Sequence, residues 1–178
     1  MKTISVPARE QVGPQSQEIF DTISQRIGRV PNLYATMGYS SHALKAMLDF
    51  EDTLTHSVFS AREREAVYLT VSQVNGCEYC LAAHSILARK RGYSNEEIIN
   101  FRKGFATDPR LNTAIQLAKA IVENKGKADE AVRDAFFDAG YDEAALMELA
   151  ALATLRTFTN YAYALTKIPL DFPAVEEI

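Results

Sequence analysis

The prolines of this 178-residue chain stand at 7, 14, 31, 109, 169 and 173, so none interrupts residues 32–108 or 110–168. A proline in a helix interior removes a hydrogen bond and costs about 3 kcal/mol. Two long stretches are therefore free to run as helices. The glycines at 13, 28, 38, 76, 92, 104, 126 and 140 cut these stretches into helix-sized lengths. Start signals agree with the cuts. Ser60-Ala61-Arg62-Glu63 and Ser94-Asn95-Glu96-Glu97 both fit the capping box, and Asp108-Pro109 supplies an N-cap followed by proline at the first helical position. Leu111, Ala114, Ile115, Ala118, Ile121 and Val122 recur at three-to-four spacing, a helical period, and no segment alternates as a strand would.

The expectation is an all-α fold with helices over 16–27, 31–37, 41–56, 61–75, 77–91, 95–103, 109–124, 129–138 and 143–166. A length of 178 residues suits one domain spanning 1–178. The last helix is apolar over more than one face, which points to burial in the bundle or in an interface. The tail Ile168-Pro169-Leu170-Asp171-Phe172-Pro173 must leave the helix and is expected to lie extended on the body or on a neighbouring subunit. Met37, Met47 and Met147 read as core filler, and His42 and His56 as surface or packing residues.

Composition narrows the function. Nineteen basic residues against 23 acidic ones, net −4, offer no field for a phosphate backbone, so nucleic acid is not an expected partner. The start, Met1 to Arg9, has no sustained apolar run, and nothing later reaches a membrane span. A soluble, cytoplasmic protein is expected. Hydrophobic residues make up 47% of the chain, enough for a core without disulfide staples. The only two cysteines lie three residues apart, a spacing that in a reducing compartment signals chemistry or metal.

Those cysteines stand in Asn75-Gly76-Cys77-Glu78-Tyr79-Cys80-Leu81-Ala82-Ala83-His84. Asn75-Gly76 separates two helices, which sets both cysteines in the first turns of the second. At 100° per residue, Cys77, Cys80 and His84 share one helical face. A helix N-terminus favours a thiolate, and an imidazole can take its proton. Residues three apart on a helix have Cα atoms about 5–6 Å apart, within disulfide range. Glu65 lies about as far before the turn as His84 lies after it, so an antiparallel hairpin brings the two level. A carboxylate that orients an imidazole serving a thiol is triad logic with sulfur as the nucleophile. Tyr68 and Ser72 share the Glu65 side of their helix and are expected to line the pocket.

Plainer readings exist for each residue. The cysteines fit two buried thiols, His84 a satisfied core histidine, and Glu65 a solvated acid near a helix start. Cys77, Cys80, His84 and Glu65 are also legitimate zinc ligands, although three ligands from one helix are unlike the usual loop-borne zinc knuckles.

The pattern Glu65-x11-Cys77-x2-Cys80-x3-His84, core 60–91, resembles the alkyl hydroperoxidase D (AhpD-like) core of the carboxymuconolactone decarboxylase superfamily, and the whole chain resembles its peroxidase-related branch. The resemblance implies an AhpD-like helical bundle of about eight or nine helices. It also implies a thiol-dependent peroxidase with Cys80 peroxidatic, Cys77 resolving, and Glu65 and His84 as a proton relay. No prosthetic group is implied beyond a redox-active disulfide, Cys77–Cys80. The implied partners are a hydroperoxide substrate, a thioredoxin-like or lipoyl-bearing dithiol donor, and further copies of the chain in a trimer or hexamer. One position departs: Tyr79, expected to line the pocket with Tyr68 and Ser72, stands where the best-studied family form has a histidine. The alternatives are a thiol-disulfide oxidoreductase, a lactone decarboxylase, or a non-catalytic zinc-binding or oligomeric module.

Overall fold

A computed structural model describes residues 3–178; Met1 and Lys2, part of the start read for a leader, lie outside the described residues. Among the described residues there are nine α-helices and no strand: α1 (Pro14–Ile27), α2 (Asn32–Met37), α3 (Ser41–Leu54), α4 (Ala61–Val74), α5 (Glu78–Lys90), α6 (Asn95–Arg102), α7 (Pro109–Glu123), α8 (Glu130–Asp138) and α9 (Glu143–Thr166). Among the described residues no helix is long and apolar enough to cross a membrane.

Local chemistry explains the starts. Ser60 accepts from the Glu63 N–H while the Glu63 carboxylate accepts from the Ser60 N–H, and Ser94 with Glu97 repeats the arrangement. Asp108 accepts from the Leu111 N–H at 2.7 Å. Most differences from the expected boundaries are single cap residues: Pro31, Asn75, Cys77, Arg91, Lys103, Asn124 and Asp129 flank their helices rather than belong to them. At α1 the expectation starts two residues late, because Pro14 occupies the first turn. At α3 it runs two residues long.

The middle of α4 is the hub. It packs against α5, α6, α7 and α9, and every residue from Glu65 to Ser72 is buried. One side faces the main core of Phe20, Leu44, Met47, Phe136, Leu149, Leu152 and Leu155. The other faces a smaller cluster with Leu81, Tyr93, Ile98, Phe101, Leu111 and Ile115. A helix buried all round has no polar face, which is why α4 shows only weak apolar periodicity.

The α9 helix is half as expected. Leu149, Leu152, Ala153 and Leu155 are buried, but Met147, Phe158, Tyr161 and Leu165 are exposed, Leu165 at 82%. Met147, at 63% exposure, is not core filler, whereas Met37 and Met47 are buried. The methionine lies on the opposite side of the helix from the Leu149–Leu152 stripe. His42 and His56 are exposed.

The tail returns to the body of its own chain. Asp171 accepts from the Asn32 N–H at 3.0 Å and from Arg29 at 2.7 Å, so it caps α2. The Phe172 ring meets the Tyr79 ring edge-on at 5.4 Å.

Candidate active site

The α4–α5 turn places the cysteines. Gly76 adopts φ +63°, a conformation that disfavours residues carrying a Cβ. Its N–H donates to the Gln73 carbonyl, and the Cys77 N–H donates to the Ser72 carbonyl at 2.9 Å. These two bonds form a Schellman motif that ends α4. Cys77 then serves at once as the N-cap of α5, its Sγ accepting from the Cys80 N–H at 3.3 Å. The turn is fastened to α9: Asn75 donates to Asn160 Oδ1 at 2.9 Å, and Asn160 donates to the Ser72 hydroxyl at 3.2 Å.

Cys77 and Cys80 form a disulfide with Cα atoms 5.3 Å apart, both sulfur residues at 2% exposure or less. The expected common helical face needs correcting at one member. Cys77 has ψ 89°, outside the helical range, so its side chain is placed by the turn and not by the 100° rule. Cys80 and His84 are both within α5, one turn apart, and do share a face.

The hairpin pairs Glu65 with His84 as the spacing predicts. His84 Nδ1 lies 2.7 Å from Glu65 Oε2, and Arg91 donates to Glu65 Oε1 at 3.1 Å. Glu65 is 3% exposed and His84 6%, so the solvated acid does not describe Glu65, whereas His84 is, at the least, a buried histidine satisfied by its carboxylate partner. Burial pushes the Glu65 carboxyl up, but His84, Arg156 and Arg91 outweigh it and hold the group below its ordinary value. Burial and the positive charge of Arg156 push His84 down, against Glu65 and Glu51. The pair therefore rests as a carboxylate and a neutral imidazole at neutral pH. The Nδ1–H donates to Glu65, which leaves Nε2 as the basic nitrogen.

Two expected pocket residues are structural in their contacts. The Ser72 hydroxyl is occupied by Asn160 and fully buried. The Tyr79 oxygen accepts from the Leu33 N–H at 3.2 Å, its ring packs on Tyr163 and Phe172, and burial pushes its phenol well up. Tyr68 does face the site, its ring centroid 5.1 Å from that of His84.

Sequence reasoning passes over Arg156, Glu51, Tyr34 and Arg91. Arg156 lies 4.0 Å over the Tyr68 ring and 3.6 Å from Glu51, whose other oxygen accepts from Tyr34 at 3.2 Å. A signal was available: α9 holds Glu143, Glu148 and Arg156 as its only charges, and Arg156 falls on the same helical face as Leu149 and Leu152. Among the described residues no three His, Cys, Asp or Glu side chains converge to hold a metal ion. Glu65, which a zinc site would need, already has both oxygens engaged by His84 and Arg91.

Residues 41–123, which contain the whole motif, match the carboxymuconolactone decarboxylase family. The matched segment is similar to that family, and the helical fold is that of proteins with an AhpD core. The uncharacterized protein YdfG of Bacillus subtilis (strain 168) is 30% identical over 92 residues, 49% of this chain and 63% of that protein. The match thus spans less than two thirds of that relative. An uncharacterized peroxidase-related protein with an alkylhydroperoxidase AhpD core, from Ralstonia eutropha JMP134, superposes with TM-score 0.82 at 18% identity, over 93% of this chain and 90% of that one. A cysteine-to-alanine form of the debrominase Bmp8, in complex with 2,3,4-tribromopyrrole, superposes with TM-score 0.79 at 19% identity, over 96% and 92%.

Proposed function

We propose that the chain is a thiol-dependent peroxidase that reduces hydroperoxides at Cys80 and Cys77. The observation that carries this reading is the bonded cysteine pair at the start of α5 with a carboxylate-held, neutral imidazole one turn along. In the dithiol form, His84 Nε2 takes the Cys80 proton and Glu65 stabilises the imidazolium. The Cys80 thiolate attacks a peroxide oxygen. The S–O bond forms, the O–O bond breaks, and the leaving alkoxide takes the proton back from His84 as an alcohol. Cys77 then attacks the sulfenic sulfur, and the disulfide forms as water departs. An external dithiol, thioredoxin-like or lipoyl-bearing, re-reduces the pair and is itself oxidised to a disulfide; no prosthetic group takes part.

The test is reaction of the reduced protein with hydrogen peroxide and an organic hydroperoxide, read by intact mass. Loss of about 2 Da, reversed by a dithiol, at a rate well above that of free cysteine, is expected. With Cys77→Ser a sulfenic acid should be trapped on Cys80. A pair that exchanges rapidly with disulfides but meets peroxide no faster than free cysteine would make the chain a thiol-disulfide oxidoreductase. Turnover of 2,3,4-tribromopyrrole in place of peroxides would keep the dithiol chemistry and change the substrate class.

A further inference from the structure

Arg156 is a buried group at the site whose charge cannot be given up. It is 5% exposed, and its Nε is buried without a hydrogen-bond partner. A guanidinium stays protonated at any physiological pH, so α9 inserts a permanent positive charge beside the cysteine-bearing hairpin. Its planar face lies 4.0 Å over Tyr68, whose ring in turn meets His84 at 62°. One Nη stands 3.6 Å from Glu51 and the other donates to the Thr159 hydroxyl at 3.4 Å.

The charges facing His84 come from every element around it. From α4 come Glu65, in direct contact, and Tyr68, which also feels Arg64. From the end of α5 comes Arg91, bound to Glu65. From α3 and α2 come Glu51 and Tyr34, and from α9 comes Arg156. Arg102 of α6 is turned away, to Gln73 and the Glu176 carbonyl, and Glu97 of α6 pairs with Arg62. With His84 neutral, Glu51 and Glu65 balance Arg156 and Arg91. A proton on His84 would add an unmatched positive charge in a buried space.

We propose that Arg156 is the positioning residue of the Glu65–His84 pair: fixed over Tyr68 and against Glu51, it makes a second buried cation unfavourable and so keeps His84 unprotonated, with Nδ1–H on Glu65 and Nε2 presented as base. Arg156 acts through His84 and touches neither sulfur nor substrate in this role. The inference rests on the peroxidase reading only for the use made of that base.

The experiment is an NMR titration of the His84 imidazole in the full-length disulfide form, with exposed His42 and His56 as internal references. In Arg156→Met the His84 midpoint should move to higher pH, changing the ratio of protonated to neutral imidazole at a fixed pH by about threefold or more. Arg156→Lys keeps the charge and should restore the wild-type midpoint. Glu51→Gln removes the balancing anion and should move the midpoint the other way. A midpoint in Arg156→Met that is unchanged or lower overturns the proposal. If that variant does not fold, an unchanged or raised midpoint in Glu51→Gln overturns it. Because the titration needs no peroxide, shifted midpoints in a protein that fails to reduce hydroperoxides would keep this role and remove the peroxidase reading. Peroxide turnover with unshifted midpoints would do the reverse.

Discussion

A carboxylate in the interior must be met by positive charge or take a proton, and Glu65 is met twice, by the His84 ring at 2.7 Å and by Arg91 at 3.1 Å. Glu65→Gln keeps the shape and removes the charge that would stabilise an imidazolium. On the proposed mechanism, hydroperoxide reduction should fall by about 10- to 10⁴-fold, as lost general-base assistance does, while the fold survives. His84→Ala should cost a similar factor. The double variant should lose little more than either single one, because groups that act as a unit are non-additive. Stopped-flow oxidation of the reduced proteins measures all three, and losses that multiply would separate Glu65 from the relay.

At the scale of elements, the α4–α5 turn is where local chemistry has most consequence. Gly76 holds φ +63° with open space around the position a side chain would take, so Gly76→Ala meets strain in the backbone rather than a clash. A cost of about 1 kcal/mol is expected in urea unfolding, with the change in midpoint carrying the effect. The same turn shows what the sequence makes legible. Caps, prolines and glycines are local signals, and they locate the helices to within a residue or two, the α9 bounds without error. The Glu65–His84 pairing was readable too, because a hairpin about Asn75-Gly76 fixes its register. The Tyr79 and Ser72 contacts were not, since each depends on partners far along the chain, Leu33 for one and Asn160 for the other. Arg156 is the same case: its 4.0 Å contact with Tyr68 joins residues on helices that only the packed bundle brings together.

Across the whole molecule, the buried pair ties stability to pH. The folded state holds His84 below the ordinary 6.5, so as pH falls through that value the unfolded chain takes a proton the folded one refuses. Stability drops with acidity there. Glu65, held below the ordinary 4.5, adds stability that is present above that value and lost as pH falls through its folded value. Thermal melting followed downward from pH 7 should show a decline that His84→Asn makes shallower in its upper part. A second expectation concerns assembly. Exposed Phe158, Tyr161 and Leu165 leave apolar surface on α9, with Leu165 at 82% exposure, and burying it between copies is the proposed driving force for a trimer or hexamer. Light scattering at micromolar concentration should give a multiple of 19.8 kDa, and Leu165→Glu should lower it.

Cys77 closes one helix with its N–H and opens the next with its sulfur. A change of oxidation state at that atom is therefore also an event in two helix ends. The Cys80 amide donates to Cys77 Sγ in the disulfide; reduction turns that acceptor into a thiol sulfur, and the exchange of this amide with deuterium should change with it. The Cys77 amide, held by Ser72, reports the neighbouring turn in the same measurement. Oxidised and reduced forms of the protein should thus be distinguishable from the backbone alone, with no reagent ever reaching the sulfur.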